Sequence, residues 1–126
     1  MTEVLSEEQA ALLSQADAES ADSEASWAAG NAGRARVTAR RAAGMAIRAW
    51  LMAQDGITYG TNFMHHLAGV ADDGRHPTPL RESAWRLAAR GVPEGGFEAP
   101  LPDPLVPATD ARSIIAWARS ELMGLS

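Results

Sequence analysis

Apolar positions in this chain recur at three- and four-residue spacing, and no stretch alternates apolar and polar residues for long. That spacing is the signature of helices with one buried face. The first helix is expected from Glu7 to about Ala29. Ser6-Glu7-Glu8-Gln9 opens it as a capping box, in which the hydroxyl caps the first turn and Gln9 reaches back. Gly30 stops it. Its apolar content is thin: Leu12, Leu13, Ala16, Ala21, Ala25 and Trp27. The polar stretch from Asp17 to Ser26 needs a partner helix to be stable. Asn31 caps a second helix running to about Ala53. On it Ala35, Ala39, Ala42, Ala43, Ala46, Ala49, Trp50 and Ala53 share one broad face, extended by Val37, Gly44, Ile47 and Leu51. A helix apolar over more than half of its circumference belongs at the centre of a fold.

Thr61 opens a shorter helix with Phe63, Leu67 and Val70 in register, and Asp72-Asp73-Gly74 ends it. Thr78-Pro79 reads as a cap followed by proline at the first helical position. That fourth helix is expected over Pro79 to Arg90, with Leu80, Ala84, Leu87 and Ala88 inward. Residues 91–108 hold five prolines and are predicted to be a loop. Thr109-Asp110 starts the last helix, which ends at Met123 and turns Ile114, Ile115, Ala118 and Leu122 inward. The fold class predicted is all-α, an up-and-down helical bundle of four main helices plus one short helix. Its 126 residues suit a single domain, residues 1–126.

Charge sharpens the arrangement. Met1 to Gly30 carries Glu3, Glu7, Glu8, Asp17, Glu19, Asp22 and Glu24 and no basic residue, whereas Asn31 to Gln54 carries Arg34, Arg36, Arg40, Arg41 and Arg48 and no acidic one. A hairpin folded at Gly30-Asn31-Ala32-Gly33 lays the acidic arm along the basic arm. With the turn centred near Asn31-Ala32, Arg40 and Arg41 fall near Asp22 and Glu24, Arg48 reaches Asp17, and Arg36 stacks beside Trp27. The plain reading of these contacts is a set of exposed ion pairs that fix register. The functional alternative is an anion-binding arginine row.

The net charge of −5 argues against general nucleic-acid binding. All eleven basic residues are arginine, which fits a GC-rich coding sequence better than selection for guanidinium chemistry. With no cysteine, disulfides and thiolate metal sites are excluded. The acidic, polar first 30 residues are unlike a secretory signal, and no apolar run approaches the roughly 20 residues that span a bilayer. A cytoplasmic location and no membrane association are expected.

The second helix, from Ala35 through Arg40-Arg41-Ala42-Ala43-Gly44 to Ala46-Ile47-Arg48-Ala49-Trp50-Leu51, resembles the central helix of HEPN domains (higher eukaryotes and prokaryotes nucleotide-binding). His65-His66-Leu67-Ala68-Gly69-Val70 is similar to a short segment of that family, and the proline-rich loop followed by Asp110 to Ala118 resembles its ending. The resemblance implies a bundle of four or five helices, often dimeric. It implies either ribonuclease activity or a role as companion of a small nucleotidyltransferase. The ribonuclease members carry an arginine followed four to six residues later by a histidine. No arginine here stands at that distance before His65, His66 or His76, so nuclease activity is not expected.

The remaining chemistry is sparse. His65 and His66 are adjacent, so on a helix one faces the bundle and the other solvent. Helical metal ligands want spacing of three or four, so no metal site and no cofactor are expected. A ligand pocket, if present, would lie where Tyr59, His65, His66 and the Arg41/Arg48 row converge, and imidazole with guanidinium suits an anion. Asp72 and Asp73 read as a helix-ending turn. Trp85 stands off its helix's apolar row and reads as an exposed interface residue. The function expected is a non-catalytic helical-bundle interaction module, a homodimer or a partner protein's companion. The alternative is a nucleotide or other anionic small-molecule binding protein or enzyme, with its site near His65, His66 and Arg48.

Overall fold

A computed structural model describes residues 5–88 and 106–124. Five helices follow one another: α1 (Glu7–Ala28), α2 (Ala32–Leu51), α3 (Phe63–Asp72), α4 (Thr78–Ala88) and α5 (Pro107–Met123). No strand occurs among the described residues. The chain is an all-α helical bundle.

Capping sets the first boundaries. Ser6 Oγ accepts the Gln9 N–H at 3.0 Å while Gln9 Oε1 accepts the Ser6 N–H at 3.0 Å, the reciprocal capping box. Asn31 Oδ1 caps α2 by accepting the Arg34 N–H, and Asn62 caps α3 through the His65 N–H. Three helix starts differ from expectation: α3 begins at Phe63 behind the Asn62 cap rather than at Thr61. Thr78 is already helical, and α5 begins at Pro107 rather than at Thr109-Asp110. Proline at the first position lacks only an N–H that would have no partner there, so Pro107 and Ala108 belong to the helix and not to the proline-rich loop. The rest of that loop, and the predicted end of α4 at Arg90, lie outside the described residues.

α2 is the centre of the bundle, touching all four other helices. Ala35, Ala39, Ala42, Ala43, Ala46, Ile47 and Ala49 are fully buried on it, where small side chains let neighbouring helices approach closely. One contiguous core joins all of these except Ala35 to Leu13, Leu67, Val70, Leu80, Leu87, Ile114 and Leu122. Val37 departs from the expected face and stands 50% exposed.

α1 lies antiparallel to α2, but its buried face is not the one expected. Leu13, Ala16, Ser20, Ser23 and Ser26 are buried, while Ala21 and Ala25 face outward. The seam is a row of small hydroxyls against small methyls. Each serine is satisfied: Ser23 Oγ donates to the Ala35 carbonyl at 2.6 Å, Ser20 to the Asp17 carbonyl, and Ser26 to the Asp22 carboxylate.

Register also differs. Arg41 pairs with Glu19 at 3.2 Å and Arg34 with Asp22 at 2.6 Å, roughly one turn from the expected pairing for Arg41 and about two turns for Asp22, which was expected beside Arg41. The cause is the turn. Gly30 takes the left-handed conformation (φ 83°) right after α1, and Asn31 already caps α2. The turn therefore centres earlier than Asn31-Ala32. Each residue of displacement at a hairpin turn moves the pairing by two. Asp17 and Glu24 are taken by α5 instead, through Arg119 and Arg112. Arg36 is exposed, and the guanidinium-over-ring contact among the described residues is Arg48 above Phe63, not Arg36 beside Trp27. Trp85 is half-buried and packs on the core, so it is not an exposed interface residue.

Candidate functional site

Two polar clusters and a groove gather much of the polar chemistry among the described residues. The first cluster joins α2 to α3. Arg48 Nε donates to His66 Nε2 at 3.3 Å, and its terminal nitrogen donates to the Thr61 carbonyl at 3.2 Å. Its guanidinium lies 4.4 Å from the Phe63 ring centre. His66 Nδ1 lies 2.8 Å from the Tyr59 carbonyl. A carbonyl only accepts, so Nδ1 carries the ring proton and Nε2 is the acceptor for Arg48. Burial pushes the His66 pKa down and the neighbouring Arg48 charge adds to it, against the opposing bond to the Tyr59 carbonyl. His66 is a neutral cross-link with both ring nitrogens engaged.

The second cluster sits where α2 ends. Tyr59 donates its hydroxyl proton to Asp73, and His76 Nε2 lies 3.0 Å from the Tyr59 hydroxyl oxygen. Arg75 forks onto the Asp73 carboxylate with bonds of 2.9 and 2.7 Å. These bonds, first from Arg75 and then from Tyr59, hold the Asp73 carboxyl well below the usual carboxylate range. Burial, then the Asp73 bond, pushes the Tyr59 hydroxyl far up, so it stays a phenol. Burial lowers the His76 pKa against the pull of Asp73. Around the trio lie aromatic rings: Trp50 is 5.3 Å and Trp117 5.2 Å from the His76 ring. Gly69 admits the Tyr59 ring, since a Cβ there would overlap it. The arrangement locks the 52–62 connection onto the α3–α4 turn.

The groove runs between the first half of α2 and the start of α3. It has a volume of about 670 Å³ and is lined by Val37, Arg40, Arg41, Asn62, Phe63, Met64 and His65. Phe63 comes this close because Gly44 has no Cβ to meet its ring. Arg40 is anchored by its Nε on the Leu87 carbonyl at 2.7 Å. A second, smaller groove of about 450 Å³ lies beside the ion pairs of α1 and α5.

The five residues picked out in the sequence thus fall in three places, Tyr59 being divided between two of them. Arg48, His66 and the Tyr59 backbone meet in the first cluster. Arg41 and His65 line the groove. The Tyr59 side chain goes to the second cluster, and His65 is exposed while His66 is buried, as their adjacency requires. The Tyr59–Asp73–His76 set was missed. Its signal was there, since Asp73, Arg75 and His76 crowd one short turn before Pro77. Arg86 and Asp110 form a further polar contact, which no local pattern marks: a buried carboxylate takes bonds of 3.0 and 2.8 Å from one guanidinium. No group of three or more His, Asp or Glu among the described residues is placed to hold a metal ion. No helix among them is long and apolar enough to cross a membrane. Compared with known protein families, curated proteins and solved structures, the chain matches none.

Proposed function

We propose that the chain is a non-catalytic interaction module, a bundle resembling a HEPN domain without the ribonuclease motif. It acts as a homodimer or as the companion of a partner protein such as a small nucleotidyltransferase. The observation that carries this reading is the groove, where Val37, Phe63 and Met64 reach the surface beside Arg40 and Arg41. Apolar side chains rimmed by arginine are what protein interfaces enrich. The two polar clusters support it from the other side, because each imidazole in them is engaged in holding elements together.

Self-association is tested by sedimentation equilibrium at micromolar concentration. A dimer of the 13.3 kDa chain is expected, and a monomeric mass across the range removes the homodimer and leaves the partner protein. Incubation with mixed RNA, without added metal, is expected to leave the RNA intact. Cleavage that disappears in His65→Ala/His66→Ala would overturn the non-catalytic reading.

The alternative is a protein that binds an anionic small molecule, a nucleotide included. One observation favours it: Arg41 and His65 line the same groove. Its site is then this groove and not the Arg48–His66 pair, whose donors and acceptors already meet each other.

A further inference from the structure

The polar rim of the α2–α3 groove offers hydrogen-bond donors, because its acceptors are used inside the fold. Asn62 Oδ1 accepts the His65 N–H at 2.8 Å, which leaves the carboxamide NH₂ to point away. His65 Nδ1 accepts the Thr61 N–H at 3.3 Å, which places the ring proton on Nε2. Arg41 gives one nitrogen to Glu19 and keeps its side chain half exposed. A guanidinium has no acceptor at all. Among the described residues no carboxylate lines the groove, on a chain whose net charge is −5.

Beneath the rim the floor is apolar and fixed. Phe63 is held between Gly44, against which its ring packs, and the Arg48 guanidinium. Val37 stands half exposed next to it. A floor that is already in place loses little freedom when something binds.

We propose that this groove docks an acidic peptide segment of a partner protein. One apolar side chain of that segment seats on Val37, Phe63 and Met64, and its flanking carboxylates meet Arg41, Asn62 and His65. The inference rests on the interaction-module reading and names the partner's chemistry. A free small molecule fits less well, since small-molecule sites enclose about 70–90% of their ligand and Val37, Arg41, Asn62 and His65 are all exposed here. The acidic face of α1 on a second copy of this chain also fits less well. Asp17, Glu19, Asp22 and Glu24 of α1 are each engaged by an arginine of their own fold.

The test is selection from a short random peptide library against the full chain, followed by fluorescence anisotropy of the enriched peptides. Enriched peptides are expected to carry Asp or Glu around an aromatic or branched apolar residue. Val37→Glu and Arg41→Gln, both at exposed positions, are each expected to weaken binding about tenfold or more. Met52→Glu, at an exposed apolar residue outside the groove, is expected to leave it unchanged. Basic or purely apolar winners, or acidic winners indifferent to Val37→Glu and Arg41→Gln, overturn the groove assignment while the interaction-module reading stands. No enrichment of any class overturns the groove assignment too. If the chain also sediments as a strict monomer, that reading loses the surface on which it rests.

Discussion

His66 is neutral for a geometric reason, and this gives the chain a pH dependence. Its Nδ1–H is committed to the Tyr59 carbonyl and its Nε2 lone pair to the Arg48 N–H. A second ring proton has nowhere to go except against the guanidinium. Burial lowers the pKa of both His66 and His76 from 6.5 in the folded chain. A group whose folded pKa is depressed takes up its proton first in the unfolded state, so stability rises with pH across the window below 6.5. Stability is therefore expected to be full above the unfolded histidine value and to fall as the pH drops below it. Asp73, also depressed, adds a further loss when the pH falls under its ordinary carboxylate value. Urea denaturation at about pH 7.5 and pH 5 measures the first window. A lower midpoint at pH 5 is expected, with a smaller difference in His66→Gln. An equal midpoint at both pH values would contradict the burial of the two imidazoles.

At the scale of elements, the joint between α4 and α5 includes an ion pair whose carboxylate is buried. Arg86 forks onto Asp110, and Ser83 lies 3.4 Å from the same guanidinium. Removing only the arginine strands a carboxylate that is 6% exposed, so Arg86→Leu is expected to cost about 3–5 kcal/mol. Replacing both, as Arg86→Leu/Asp110→Leu, is expected to recover much of that loss, read by urea midpoints. The pair also shows what the sequence makes legible. Helix number, caps and the centrality of α2 follow from local pattern, because Ser6, Asn31 and the alanine face of α2 act within a few residues of themselves. Asp110 reads locally as a helix start, and only packing against α4 reveals it as a partner of Arg86. The hairpin register has the same limit. Mirror-image charges require that α1 and α2 lie together, but ion pairs are soft, and the left-handed Gly30 decided where the turn falls. The candidate site was legible as residue types near Tyr59 and the two histidines. Its division into clusters and groove was not, since this depends on which side of α3 each side chain takes and on the contacts of Gly44 and Gly69.

At the scale of the molecule, stability is unevenly shared. The core around α2, α3, α4 and α5 buries Ile47, Leu67, Val70, Leu80, Leu87, Ile114 and Leu122. The second half of α1 meets α2 through Ser20, Ser23 and Ser26. Hydroxyl burial contributes little net free energy beyond its hydrogen bonds, and the ion pairs from Arg34, Arg112 and Arg119 across α1 are exposed and weak. The second half of α1 is therefore expected to open first while the rest stays folded, a sub-global opening that uncovers part of the alanine face of α2. Native-state hydrogen exchange is expected to show amides of residues 20–28 exchanging about tenfold or more faster than those of residues 39–50, with the gap closing as denaturant brings on global unfolding. Equal protection in the two segments would mean that the bundle opens as one unit. On that expectation the serine seam sets a timescale as well as a shape: it makes the second half of α1 the stretch that comes and goes.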